Sequence, residues 1–249
     1  MRNKPYHPVV LEIIRNQGAK RVLDAPCGTG WLGQALSASD SPVRLDGMGL
    51  YEFPAPDARY GQVIEHDLNC PAPSSLQGPY DTIVCAEAIH LIANPGTMLQ
   101  SFQNLLAPDG TLIITTPNCW PPGSRLRYLL RGFHAGFAPS ADRVIGQDYI
   151  TYFPFHFGQL HLLLRHYGYT DIRLHDVREP KPARWFERLL AMPSRHYCRR
   201  QMRKARSDAG REYWQQVASP VAQLSRWLVV SARAPAAGMA LETKSPGLQ

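Results

Sequence analysis

The first 120 residues alternate between short apolar runs and segments whose apolar residues recur at helical spacing. The apolar runs predict strands at residues 21–24, 43–46, 62–65, 81–86 and 111–116. The helical spacing predicts helices at residues 8–17, 31–37 and 97–106. Strands that alternate with helices of this length indicate a doubly wound α/β sheet with right-handed crossovers.

The alternation becomes less regular after Asn118. The pattern predicts helices at 125–131 and 158–167, and strands at 170–177 and 227–231. Residues 180–226 are predicted to form a helical insertion between these last two strands, with a second helix beginning beyond Pro193. Small residues, proline and glycine fill 235–249, which predicts a disordered tail after a single domain at 1–234.

Composition limits the class of protein. With 249 residues, 44% of them hydrophobic, the chain is long enough for one medium domain with a sizeable core. The five cysteines form no C-x-x-C pair and no ligand cluster with histidine, so we expect a reduced, cytoplasmic protein without a bound metal. The sequence contains neither an apolar run of membrane-spanning length nor a signal-peptide pattern.

The charge is concentrated in one segment. Residues 178–206 carry ten Lys/Arg against two Glu, whereas the rest of the chain is almost neutral, and the total is +7. Aromatic and leucine residues, including Trp185 and Leu189, share one face there. This combination favours a helical hairpin packed on the domain, whose basic face is only solvated. The alternatives are contact with an anionic membrane surface and, as the least favoured, binding of nucleic acid.

One segment carries the most specific signal, Asp24-Ala-Pro-Cys-Gly28-Thr-Gly30-Trp-Leu-Gly33. A strand ends in an acid, a glycine turn follows, and a helix begins. Missing side chains let a ligand approach the backbone, and amides at the start of the helix face it. A carboxylate in this turn suits a ligand with an ammonium group better than a pyrophosphate.

This segment resembles the first motif of the class I S-adenosylmethionine-dependent methyltransferases. The resemblance continues through 67–69, 80–90 and 106–118. It implies a Rossmann-like, mostly parallel seven-stranded sheet with an antiparallel last strand, and S-adenosyl-L-methionine as the cofactor. It also implies methyl transfer to an oxygen of a small-molecule, glycan or lipid-linked acceptor, as in bacterial polysaccharide and natural-product methyltransferases. The alternatives are an RNA-directed methyltransferase and a non-catalytic protein that binds cofactor or partner.

The resemblance assigns residues to two parts of the cofactor. Asp24, Gly28 and Gly30 match the positions that hold the methionine end. An acid after the second strand accepts hydrogen bonds from both ribose hydroxyls in this family. This chain departs from the family pattern at that position. Spacing slightly favours Asp46 as the acid, and Glu52 is the alternative.

Three further residues complete the implied cofactor site. Asp67 matches the acid that accepts from the adenine amino group, and Leu68 contributes its amide and an apolar contact. Glu87 follows the fourth strand, where the backbone meets the methionine amino group.

The acceptor side needs a group that removes a proton, and histidine suits that task near neutral pH. His156 and His90 are the candidate bases. His134, Asn118 and Trp120 are predicted to line the acceptor pocket.

Cys27 supports a competing interpretation, because Asp-Ala-Pro-Cys-Gly also resembles the nucleophile motif of RNA cytosine-5 methyltransferases. That motif belongs after the fourth strand of the fold. Only about twenty residues precede Asp24, too few for three strands and their crossovers. Cys27 is therefore predicted to be a small turn residue.

Overall fold

Seven strands form one sheet in the computed structural model, which describes residues 4–39, 42–55, 58–137, 150, 152–180 and 183–235. The strands are β1 (Arg21–Asp24), β2 (Arg44–Gly49), β3 (Val63–Glu65), β4 (Tyr80–Ala86), β5 (Leu106–Pro117), β6 (Thr170–His175) and β7 (Trp227–Arg233). Their order is β3-β2-β1-β4-β5-β7-β6. Only β7 is antiparallel to its neighbours, β5 and β6. The predicted mostly parallel, seven-stranded sheet is confirmed.

Helices cover both faces of the sheet. They are α1 (His7–Asn16), α2 (Trp31–Ala38), α3 (Pro95–Leu105), α4 (Pro122–Arg131), α5 (Phe157–His166), α6 (Trp185–Lys204), α7 (Asp208–Val217) and α8 (Pro220–Leu224). Helices α1 and α2 pack on one face, against Val22 and Val84. Helices α3 and α5 pack on the other, against Leu23 and Ile83. Neighbouring strand residues point to opposite faces, so both faces of the central strands are apolar.

Three helices, α6 to α8, lie between β6 and β7, where the sequence predicts a helical insertion. The predicted break at Pro193 is wrong, because α6 runs through this proline without interruption. A proline inside a helix removes one backbone hydrogen bond, and here the flanking turns continue the helix nonetheless. No helix in the described ranges is long and apolar enough to cross a membrane. The predicted tail, after its first residue, lies outside the described residues.

Strand β2 is longer than the sequence predicts. Its last three residues pair with β3 in the register Gly47↔Val63, Met48↔Ile64 and Gly49↔Glu65. The glycines in this stretch hide the strand, because they lack the β-branched side chains by which strands are identified. The strand therefore ends at Gly49, and Asp46 lies inside it.

Candidate cofactor and active site

A cavity of about 520 Å³ opens at the carboxyl ends of β1, β2 and β4. The strand order reverses between β1 and β4, and ligands of open α/β sheets bind at this position. The volume lies within the usual range for small-molecule sites. The walls come from the glycine turn, the ends of β2, β3 and β4, and the start of the chain.

The glycine turn forms one wall of the cavity. Gly28 has φ +48° and Gly30 has φ +83°, a left-handed backbone that favours glycine. Gly30 is the residue before α2, and its N–H donates to the carbonyl of Cys27 at 3.0 Å. Gly28 lines the cavity, as predicted for a residue near the cofactor, whereas Gly30 lies behind it against Pro54.

Asp24 ends β1 beneath the turn and is fully buried. Its Oδ2 accepts a hydrogen bond from Tyr60 Oη at 2.7 Å, and its Oδ1 has no hydrogen-bond partner among the described residues. Burial raises the pKa of this carboxyl to about 7, and the hydrogen bond from Tyr60 opposes that shift. Asp24 is not part of the cavity wall. Its predicted contact with the methionine end stays a prediction.

Sequence reasoning missed Tyr60. Its ring fills the space above two glycines, because a Cβ atom built at Gly33 would lie 2.5 Å from the ring and one at Gly47 would lie 2.9 Å from it. Gly33 therefore makes room for Tyr60 rather than for a ligand. The ring carries its hydroxyl to Asp24, and burial, followed by the charge of Asp24, raises the pKa of Tyr60 above its usual value.

The two candidates for the ribose acid lie in different places. Asp46 is fully buried in β2, where its Oδ2 accepts from Tyr80 Oη at 2.9 Å and pairs with Arg21 at 3.3 Å. Asp46 does not line the cavity, and its predicted contact with the ribose stays a prediction. Glu52 follows the end of β2 and lines the cavity, and its Oε2 lies 3.6 Å from a Cβ built at Gly28.

The end of β3 brings the predicted adenine residues to the opposite wall. Asp67 and Leu68 both line the cavity, as does Ile92. Asp67 Oδ1 accepts hydrogen bonds at 2.9 Å from the backbone N–H and the side-chain amide of Asn69. These bonds orient the carboxylate, and the neighbouring leucine and isoleucine offer an apolar surface to a flat ring.

Glu87 lines the cavity after β4, and the start of the chain covers it. Its Oε2 accepts from Tyr6 Oη at 2.7 Å and pairs with Lys4 Nζ at 3.3 Å. Burial, and then the charge of Glu87, raise the pKa of Tyr6. No local sequence pattern marks Lys4 or Tyr6 as site residues, because only the docking of α1 brings them here.

Two stacked aromatic rings, those of His7 and Trp31, also line the cavity. The His7 ring stacks on Trp31 with centroids 3.9 Å apart and planes 6° apart. Burial and the charge of Lys4 lower the pKa of His7 to about 4. His7 is therefore neutral near pH 7 and adds no positive charge to the cavity.

His90 is buried behind the cavity wall. Its Nδ1 lies 3.1 Å from Thr116 Oγ1, and its ring meets the edge of Phe137. Burial lowers the pKa of His90 to about 4. A threonine hydroxyl can accept as well as donate, so Nε2 of His90 can be the unprotonated nitrogen.

His156 and Trp120 lie together in a separate cavity of about 360 Å³, with ring centroids 5.0 Å apart. Helices α6, α7 and α8 line this second cavity, which shares no residue with the first within the described chain. His156 Nδ1 accepts from Gly158 N at 3.1 Å and so caps α5. Burial lowers the pKa of His156 to about 4. In the neutral ring the proton is then on Nε2, which donates and cannot act as a base.

The other two predicted acceptor residues have structural contacts. Asn118 is buried and its side-chain amide donates to the carbonyls of Ala222 and Ser225, which fastens α8 to the end of β5. His134 lies 3.2 Å from Ser124 Oγ and stacks on Tyr128. Neither lines one of the two cavities, and the acceptor contacts predicted for them stay predictions.

Cys27 lies in the turn after β1, as predicted. Burial raises the pKa of its thiol to about 12, whereas a cysteine nucleophile needs a lowered pKa. The position and the pKa both favour a turn residue.

Comparison with known proteins agrees with this architecture. Residues 2–205 match the family described as a methyltransferase domain. The match covers most of the chain, which therefore belongs to this family, and the sheet and cofactor cavity are those of a class I S-adenosylmethionine-dependent methyltransferase.

The matches to individual relatives cover only part of each relative's length. The chain is 29% identical over 133 residues to a ubiquinone biosynthesis O-methyltransferase of Actinobacillus pleuropneumoniae, covering 46% of this chain and 56% of the relative. The chain thus spans about half the length of the curated relatives it matches. Among solved structures, the methyltransferase SibL in its apo form has a TM-score of 0.54 at 14% identity, covering 92% of this chain and 54% of SibL. The CurJ carbon methyltransferase has a TM-score of 0.51 at 18% identity, and the match covers 92% of this chain and 52% of the CurJ chain. These structures share the fold.

Proposed function

We propose that this protein transfers the methyl group of S-adenosylmethionine to an oxygen atom of a small-molecule acceptor. The cofactor cavity carries the proposal, because the glycine turn and two carboxylates, Glu52 and Asp67, line it together. The similarity to relatives named ubiquinone biosynthesis O-methyltransferase supports oxygen as the methylated atom. A glycan or lipid-linked acceptor belongs to the same proposal.

The residues present fit this cofactor. Among the described residues, three carboxylates line the cavity, those of Glu52, Asp67 and Glu87, against one lysine, Lys4. Such an acidic cavity attracts a cationic ligand. Asp24 Oδ1 is buried with no partner in the part of the chain that the structure describes, and a donor at the glycine turn would satisfy it.

Each residue has a defined task in this proposal. Glu52 accepts from the ribose hydroxyls, since one carboxylate accepts two hydrogen bonds from a vicinal diol. Asp67 accepts from the adenine amino group while Leu68 packs on the ring. When bound, the cofactor supplies an electrophilic methyl group on a positively charged sulfur. Alignment of the acceptor oxygen then accounts for much of the rate.

An acceptor hydroxyl must also lose its proton. Neither candidate base lines the cofactor cavity, and His90, which is buried behind its wall, is the better of the two, because its Nδ1 can donate to Thr116 and leave Nε2 to accept. His156 would first have to give up the cap of α5.

Calorimetry and a transfer assay test the proposal together. We expect S-adenosylhomocysteine to bind, and methyl-labelled S-adenosylmethionine to label hydroxylated aromatic or sugar acceptors, with the methyl on oxygen by mass spectrometry. Binding without transfer to any acceptor would favour a non-catalytic protein. Absence of binding would contradict the cofactor assignment itself.

A further inference from the structure

Helix α4 has an apolar face that points away from the protein. Leu126, Leu129 and Leu130 follow the i, i+3, i+4 spacing of one helical face, and Phe133 lies two residues past the helix end, after Gly132. Such a face is normally turned to the core. Here these four side chains are between 49 and 79% exposed.

The first half of α6 repeats this feature. Trp185, Leu189 and Met192 lie one turn apart along one side, and Leu190 lies next to them. All four are between 52 and 77% exposed. The residues that face the core are instead small, Ala191 and Cys198.

The two helices are neighbours. Arg125 Nη1 on α4 donates to Ser194 Oγ on α6 at 3.0 Å. A Cβ built at Gly123 would lie 3.1 Å from Glu187 Oε1. The exposed apolar residues of these two neighbouring helices are called here the α4–α6 surface: Leu126, Leu129, Leu130, Phe133, Trp185, Leu189, Leu190 and Met192.

Positive charge accompanies the α4–α6 surface. Arg127, Arg131, Arg184 and Arg188 are exposed on the same helical segments or at their ends. The only acid within Pro122–Arg131 and the first half of α6 is Glu187, whose carboxylate accepts from the backbone N–H of Arg184. Four exposed arginines and one glutamate thus accompany the apolar residues.

We propose that the α4–α6 surface docks onto a lipid bilayer that contains anionic lipids. Patches of exposed apolar residues of this kind mark interaction sites. An amphipathic helix with arginines beside leucine and tryptophan fits the boundary between headgroups and acyl chains, which accepts both. A second copy of the chain is a poorer occupant, because a symmetric contact would bring the arginine rows of both copies together.

Vesicle co-sedimentation of the full chain tests the proposal, with neutral phosphatidylcholine vesicles and vesicles containing about 30% phosphatidylglycerol. We expect the parent to bind the anionic vesicles and to bind the neutral ones at least about tenfold more weakly. Two apolar variants, Leu129→Ser/Leu130→Ser on α4 and Trp185→Ser/Leu189→Ser on α6, should each lose at least about tenfold. A charge variant, Arg127→Gln/Arg131→Gln/Arg188→Gln, should lose binding to anionic vesicles alone.

The matched control is Leu162→Ser, which removes an equally exposed leucine from α5, outside the α4–α6 surface. It should bind like the parent, and thermal melts should show all variants folded because every substituted side chain is exposed. Failure of the parent to bind anionic vesicles would overturn the proposal. So would parent-like binding by either apolar variant, or a concentration-dependent dimer in sedimentation velocity that the apolar variants abolish. These outcomes do not depend on the methyl acceptor.

Discussion

Tyr60 donates a hydrogen bond to Oδ2 of Asp24 at 2.7 Å, and it does so from a groove that only two glycines leave open. The carboxyl of Asp24 is fully buried and its other oxygen has no partner in the described part of the chain. Tyr60 is therefore a positioning residue, which orients the acid beneath the glycine turn and reduces the cost of its charge.

The first prediction concerns Tyr60→Phe, which removes this hydroxyl and leaves the ring. Loss of the hydrogen bond leaves Asp24 without a donor, so we expect the free energy of unfolding at pH 8 to fall by about 1–3 kcal/mol. The loss should be smaller at pH 4, where Asp24 is neutral. Affinity for S-adenosylhomocysteine should fall as well, by calorimetry. Equal losses of stability at both pH values would contradict a role through the Asp24 charge.

The second prediction is a pH dependence of stability set by Asp24. Its pKa in the folded protein, about 7, lies above the ordinary value of 3.8, chiefly because of burial. An acid whose pKa is raised by folding stabilises fully below its unfolded pKa, and this stabilisation is lost as the pH rises through the folded pKa. The cofactor-free parent should therefore lose stability between about pH 4 and pH 7, by at most about 4 kcal/mol.

Asp24→Asn tests this dependence directly. Asparagine keeps an acceptor for Tyr60 but carries no charge, so urea unfolding should show a flatter pH profile and a protein more stable than the parent at pH 8. The same variant should lose most of its cofactor affinity. If the parent and variant profiles ran parallel, the pKa of Asp24 would be ordinary.

Much of this site can be predicted from sequence where the signal is local. The strand, glycine turn and helix from Arg21 to Ala38 follow one another directly, and their bounds agree with the structure to within a residue. Tyr60 could not be found in this way, because its place depends on Gly33 and Gly47, which come from different elements. No spacing along the chain encodes the groove between them.

The acid proposed to bind the ribose is likewise hard to predict from local sequence. Its position depends on where β2 ends, and pairing with β3, rather than local propensity, carries β2 to Gly49. Lys4 and Tyr6 are a further example, since only packing of α1 against the sheet brings them to Glu87. Contacts between residues far apart in the sequence therefore decide that Glu52, Lys4 and Tyr6 line the cavity and that Asp46 does not.

The third prediction separates the two acids after β2. Glu52→Gln should weaken S-adenosylhomocysteine binding by about tenfold with little change in stability, because Glu52 is exposed in the cavity. Asp46→Asn should instead cost about 1–3 kcal/mol of stability, because it removes the buried charge that pairs with Arg21 while keeping an acceptor for Tyr80, and should leave affinity unchanged. Glu65→Gln, an exposed acid on β3 outside the cavity, is the control. A reversed pattern in calorimetry and urea unfolding would restore Asp46 as the ribose acid.

The fourth prediction compares the two histidines. His90→Gln should lower the rate of methyl transfer to a hydroxyl acceptor while cofactor affinity stays unchanged. His156→Ala should mainly lower stability, by about 1 kcal/mol, because it removes the cap of α5. Single-turnover rates and thermal melts of both variants distinguish the roles. A rate loss confined to His156→Ala would identify His156 as the base.

The last prediction concerns the positive charges on the second half of α6 and their contribution to vesicle binding. Arg199, Arg200, Arg203 and Lys204 are exposed on its second half, beyond the α4–α6 surface. Each exposed cation near an anionic surface contributes on the order of 1 kcal/mol, and salt screens that attraction. Changing all four to glutamine should therefore weaken binding to anionic vesicles most at low salt, and should make binding less salt-sensitive. Cofactor affinity should not change, because none of the four lines the cofactor cavity. If the quadruple variant bound vesicles like the parent at every salt concentration, these charges would be only a solvated face. If the folded quadruple variant lost cofactor affinity, the charges on α6 would have to affect the cofactor cavity, which none of them lines.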